Sequence, residues 1–202
     1  EQDGYGYISL DSLTSKRNLN LAKTKKKFFA MIARNPETLR INMYAFISKT
    51  YKKVDGYGLM FGKTTTVPKA TILKEYKFCL CPENSFYPGY ISEKVIEAWH
   101  SGTIPIWSGS LSSKRIINQN AYLNYQKFNE MDKFIQKIIR LDQNFAEYKD
   151  IYEQPLLLKK PDIKIVIDRS LINRPAPLHR PLRPTPNPAF ERTPKLRSQL
   201  RP

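Results

Sequence analysis

The residues best suited to chemistry lie between Glu83 and Lys94: Glu83, Asn84, Ser85, Tyr90, Ser92, Glu93 and Lys94. They occupy a loop that follows an apolar run and precedes a helical one, and an open α/β sheet places its ligands in such loops. Ser92 can cap the helix, leaving backbone N–H groups free to meet a phosphate or a sugar hydroxyl. Lys94 would add a point charge for phosphate, and Glu93 can accept hydrogen bonds from hydroxyls. The same residues also suit a capped helix with a charged first turn, so physics alone leaves both readings open. Arg40, near the start of an earlier helix, can grip phosphate oxygens with its planar fork. Tyr57, between Gly56 and Gly58, forms a third loop expected on the same edge.

The surrounding elements must position these groups. Phe28 to Ala33 is a short apolar run that reads as a buried strand. Asn35 and Pro36 then suit the opening of a helix carrying Leu39, Met43, Phe46 and Ile47, which places Arg40 in its second turn. A helix over Lys69 to Tyr76 leads into a strand over Lys77 to Cys81, ended by Pro82. Val95, Ile96 and Trp99 mark the next helix, with Gly102 as its stop, and Thr103 to Trp107 the next strand. A short helix near Leu111 to Ile117, a strand near Tyr122 to Tyr125 and a helical stretch from Glu130 to Tyr152, broken around Asp142 to Asn144, complete the body. Strands alternating with helices at this spacing predict an α/β doubly wound parallel sheet covered on both faces.

The flanks differ. Residues 1–27 are polar and basic and read as a linker. From Arg174 to Pro202 there are eight Pro, with six Arg and one Lys against one Glu, so the chain from 159 onward reads as a disordered basic tail. Such a tail suits contact with anionic lipid. The formal net charge of +16 over 202 residues calls for an anionic partner, and a nucleic acid is one candidate. The aromatics, however, sit at core spacing, and no nucleic-acid motif is present. Cys79 and Cys81, two residues apart in a strand, share a face but are poorly placed to bridge, so they read as buried thiols. A zinc site would need two further ligands, and His100 and His179 lie in unrelated contexts.

The run Lys77-Phe78-Cys79-Leu80-Cys81-Pro82-Glu83-Asn84-Ser85, followed by Tyr90-Ile91-Ser92-Glu93-Lys94, resembles the donor signature of family 10 α1,3/4-fucosyltransferases. Gly102 to Ile106, Gly109, Asn35-Pro36 with Arg40, and Tyr51 to Gly58 extend the likeness over about residues 26–158. The resemblance implies the C-terminal half of a GT-B enzyme, a Rossmann-like domain over 28–158. Such an enzyme transfers L-fucose from GDP-fucose to a glycan acceptor hydroxyl, with inversion and without a metal or other cofactor.

By motif match, Arg40 and Lys94 neutralise the diphosphate, Glu93 binds fucose or ribose hydroxyls, and Tyr90 lines the nucleotide pocket. Glu83 and Asn84 shape the sugar site, with Glu83 facing the developing ring charge. Ser85, Ser92 and Tyr57 complete the donor-binding set. Pro82 stands where the family usually has Phe, which alters the loop by fixing φ and removing a donor.

The family's general base belongs to an N-terminal acceptor domain. Glu1, Asp3 and Asp11 ahead of the donor segment have no motif context, so the chain is expected to be a fragment that binds the donor without efficient transfer. A non-catalytic GDP-sugar-binding remnant is the nearest alternative. Relatives of this kind work at the cytoplasmic membrane face in bacteria and at the Golgi membrane in eukaryotes.

Overall fold

The computed structural model describes residues 8–63, 66–83 and 88–160. Four parallel strands make one sheet: β1 (Lys27–Ile32), β2 (Asp55–Tyr57), β3 (Tyr76–Leu80) and β4 (Ile104–Ile106), in the order β2-β1-β3-β4. Ala30 faces Asp55 on one side and Cys79 on the other, and Cys79 in turn faces Pro105. The doubly wound reading is therefore correct, and its direction of winding reverses between β1 and β3.

Alternation along the strands sorts the core into two layers, because successive side chains point to opposite faces. Phe29, Met31, Phe78, Leu80, Ile104 and Ile106 face one layer. There they meet α3 (Thr38–Thr50), α6 (Met131–Gln143) and α7 (Phe145–Tyr152) through Met43, Ile47, Phe134, Ile138 and Tyr148. Ala30, Cys79 and Cys81 face the other, against α4 (Lys69–Leu73) and α5 (Glu93–His100) through Leu73, Val95 and Trp99. Both cysteines are buried free thiols on one face, as their spacing predicted, and burial pushes the Cys81 thiol well up.

Several boundaries differ from expectation. The first long helix opens at Glu37, not at Asn35, because the Arg40 guanidinium takes the Asn35 carbonyl at 3.1 Å and holds that stretch as a loop. Arg40 consequently sits in the first turn of α3, not the second. The helix from Lys69 ends at Leu73, since Tyr76 is already paired with Lys27 in the sheet. Leu111–Arg115 is a 3-10 turn. The strand expected over 122–125 shrinks to a single parallel bridge of Leu123 with Ile106, because the Asn124 side chain takes Gln126 N–H and starts a turn. The break between α6 and α7 lies where it was placed, with Asn144 capping Ala146 and Glu147.

The linker reading fails for residues 8–26. They form α1 (Leu10–Thr14) and α2 (Leu19–Lys23), and Leu13 and Ala22 are buried in the body. Arg17 fixes this segment. Its Nε donates to Tyr152 O at 2.6 Å, its Nη1 to Trp99 O and Thr103 O at 2.9 and 2.7 Å, and it stacks on the Tyr152 ring. Leu157 N–H donates to Leu13 O at 3.0 Å, and Lys160 pairs with Asp11. The Pro- and Arg-rich stretch expected from 159 lies, from residue 161 on, outside the described residues. No helix among the described residues is long and apolar enough to cross a membrane.

Candidate functional site

A sheet that reverses its winding between two strands opens a crevice at their carboxyl ends. Here the crevice is a cavity of about 520 Å³, floored by Met31, Ile32 and Ala33 of the β1 end and Cys79, Leu80 and Cys81 of the β3 end. Gly58 lines it from the β2 end with φ of +93°, and a Cβ there would lie 2.4 Å from Ala33 O. Only glycine suits that backbone and that approach. The described charged groups on the wall are Arg34, Arg40, Lys69 and Lys94 against Glu93 and Glu97, an excess of cations that suits an anion.

Among the helices whose first turns line this cavity are α3 and α5. α3 carries Arg40, only 6% exposed, in its first turn, and α5 carries Glu93 and Lys94 in its own. Ser92 caps α5 by accepting Lys94 N–H at 3.3 Å. The Lys94 ammonium donates to Ser92 Oγ at 3.2 Å, beside Glu83 at 3.6 Å and Glu93 at 3.8 Å. Positive helix ends and two side-chain cations thus converge on one crevice. On the same wall Glu97 pairs with the half-exposed Lys69 at 3.3 Å, and burial raises the Glu97 carboxyl above its ordinary range.

The structure brings together Arg40, Ser92, Glu93 and Lys94 as expected, and separates others. Glu83 does not face a sugar: its side chain is 1% exposed. Its Oε1 accepts Ser92 N–H at 3.0 Å and Trp107 Nε1–H at 2.9 Å, and its Oε2 accepts the Ser92 hydroxyl at 2.6 Å. A carboxylate occupied in this way is an internal brace, which corrects the expectation of contact with the fucose ring. Tyr57 also turns away from the cavity, its hydroxyl 2.7 Å from that of Tyr76, which donates to Asp55 at 2.8 Å. Tyr90 is half-buried and does not line the cavity. Asn84 and Ser85 fall outside the described residues. Arg34 and Lys69 were not singled out from sequence. Their signal was position, since Arg34 ends β1's approach to the switch point and Lys69 opens α4.

The description "Glycosyltransferase family 10 (fucosyltransferase) C-term" matches residues 21–154. This chain belongs to glycosyltransferase family 10. Among its relatives, the alpha-(1,3)-fucosyltransferase FucT of Helicobacter pylori is 33% identical over 135 residues, covering 65% of this chain and 28% of that protein. A 3-galactosyl-N-acetylglucosaminide 4-alpha-L-fucosyltransferase of Homo sapiens is 31% identical over 140 residues, covering 64% of this chain and 37% of its own. A crystal structure of alpha1,3-fucosyltransferase with GDP aligns at a TM-score of 0.57 and 34% identity, over 66% of this chain and 40% of that one. The complex with GDP-fucose aligns at 0.55 and 32%, over 69% and 41%. The family 10 chain therefore spans between about a quarter and two fifths of these relatives.

Proposed function

We propose that this family 10 chain binds GDP-fucose in the crevice between β1 and β3 and serves as the donor half of an inverting fucosyltransferase. The observation that carries the reading is the convergence of Arg40 and Lys94, from the first turns of two helices, on one cavity at the switch point. In the proposed reaction an acceptor hydroxyl oxygen attacks the anomeric carbon of fucose from the face opposite GDP. The bond from that carbon to the β-phosphate oxygen breaks, and its electron pair leaves with GDP. Arg40 and Lys94 stabilise the charge that gathers on the diphosphate, in place of a metal ion. Glu93, exposed at the α5 start, accepts hydrogen bonds from ribose or fucose hydroxyls.

The hydroxyl proton goes to a carboxylate base, which we assign to an acceptor domain like the one the longer relatives have room for. On this reading the chain alone binds the donor and turns it over slowly. Calorimetry with GDP-fucose, GDP-mannose and GDP, on the chain and its Arg40→Ala variant, tests the proposal. Micromolar binding of GDP-fucose and GDP that the variant loses is expected, and absence of binding by all three would sink it.

A further inference from the structure

Glu83 joins three elements through one buried carboxylate: the end of β3, the cap of α5 and the residue after β4. Among the described residues, the groups that reach it are all donors. Ser92 N–H and Trp107 Nε1–H reach Oε1, the Ser92 hydroxyl reaches Oε2, and the Lys94 ammonium lies beside Oε2. A glutamine would present one acceptor oxygen and an NH2 that lies beside the Lys94 ammonium and has to compete with Lys94 for the lone pairs of the Ser92 hydroxyl. The site is therefore built for a carboxylate, and its burial keeps that carboxylate from any ligand.

With its hydrogen directed to Glu83, the Ser92 hydroxyl keeps its lone pairs for Lys94, whose backbone N–H and ammonium both come to it. We propose that Glu83 is a positioning residue for diphosphate binding: it fixes Ser92 and, through Ser92, the direction from which the Lys94 ammonium meets the cavity. This rests on the nucleotide reading of the crevice. A lysine ammonium has a flexible four-carbon stem, and one tethered at its tip loses less freedom when phosphate arrives.

The test titrates GDP and guanosine into the wild-type chain, Glu83→Gln, Lys94→Met and the double variant. Glu83→Gln should weaken GDP about tenfold, the range for partners that orient a ligand-binding group, and guanosine less than about twofold. It should add nothing in the Lys94→Met background. Equal weakening of both ligands, or full additivity with Lys94→Met, would show a merely structural brace and overturn the proposal. Should Glu83→Gln fail to fold, Trp107→Phe removes one donor, keeps the carboxylate, and should shift the same GDP-to-guanosine ratio about threefold.

A second readout needs no ligand. In Glu83→Gln, the NMR signals of the Ser92 backbone N–H and the Trp107 indole N–H, both donors to Glu83 Oε1, should exchange faster with solvent. Unchanged signals, with GDP binding intact, refute the part given to Glu83 alone. A wild-type chain that binds no GDP refutes the nucleotide reading itself.

Discussion

Asp142 and Glu83, at opposite ends of the sheet, both have side chains almost wholly out of solvent, and the two are used in opposite ways. At the amino end, Asp142 at the close of α6 is 4% exposed and meets full cations. Lys77 donates to its Oδ1 at 2.6 Å, while Lys52 and the Tyr51 hydroxyl donate to Oδ2 at 2.6 and 2.9 Å. At the carboxyl end, Glu83 meets neutral donors, with its one cation held off at 3.6 Å. At the amino end two lysines meet one carboxylate directly, whereas at the crevice Arg34, Arg40, Lys69 and Lys94 stand against Glu93 and Glu97, and on the reading proposed above a ligand's phosphates balance them.

Predictions that break this contrast begin with Arg40. Arg40→Ala should weaken GDP at least about thirtyfold, about 2 kcal/mol, the range for hydrogen bonds to a charged group. A change below about threefold by calorimetry would remove Arg40 from the site.

At the other end, Asp142→Asn should lower stability by about 1.5 kcal/mol in urea unfolding, a figure reduced because Lys52 is half exposed. GDP affinity should stay unchanged, and a loss of it would merge the two ends into one network. Burial works to raise the Asp142 carboxyl, but hydrogen bonds from Lys52, Lys77 and Tyr51 outweigh it and hold it below its ordinary value. Its contribution is therefore present above about pH 4 and fades as pH falls below that, and the variant should lack this acid sensitivity.

Ser92→Ala should cost about 1 kcal/mol of stability through the lost cap. Unlike Asp142→Asn, it should also weaken GDP.

A last effect, read in the pH profile alone, concerns Lys25, whose ammonium donates to Lys74 O at 2.7 Å. Burial, with Arg17 and Lys74 nearby, pulls it down to about 7. Between pH 7 and 10 the unfolded chain binds the extra proton, so stability should rise with pH in that window. Lys25→Met should flatten the rise, and parallel melting curves for both proteins would refute the assignment.

Legibility in the sequence followed the range of the interactions. The alternation of strands and helices, the Ser92 cap and the break at Asn144 were readable because each depends on neighbours a few residues away, whereas Asp55–Tyr57, read as turn and loop, became a strand only by pairing with β1. Arg40 and Lys94 were readable from the ordered motif around them. The embedding of residues 8–26 was not, since Arg17 finds its partner Tyr152 135 residues later. A polar segment with one deeply placed arginine looks like a linker in one dimension. Glu83 was assigned to the sugar for a similar reason: what claims it is Trp107, 24 residues on, which no local pattern around the loop reveals. Tyr57 was read as part of a glycine-flanked loop, yet it ends β2 and its hydroxyl meets that of Tyr76.

The hydrogen bond from Leu157 to Leu13 and the pairing of Lys160 with Asp11 bring the two ends of the described body side by side. Topologically the body is almost a closed loop. A short linker from residue 160 back to residue 8, with a new opening cut at the exposed turn around Gly62, should give a circular permutant that keeps the sheet and its crevice. Anything joined to either end, whether a second domain or a surface for immobilisation, would then share a single point of departure.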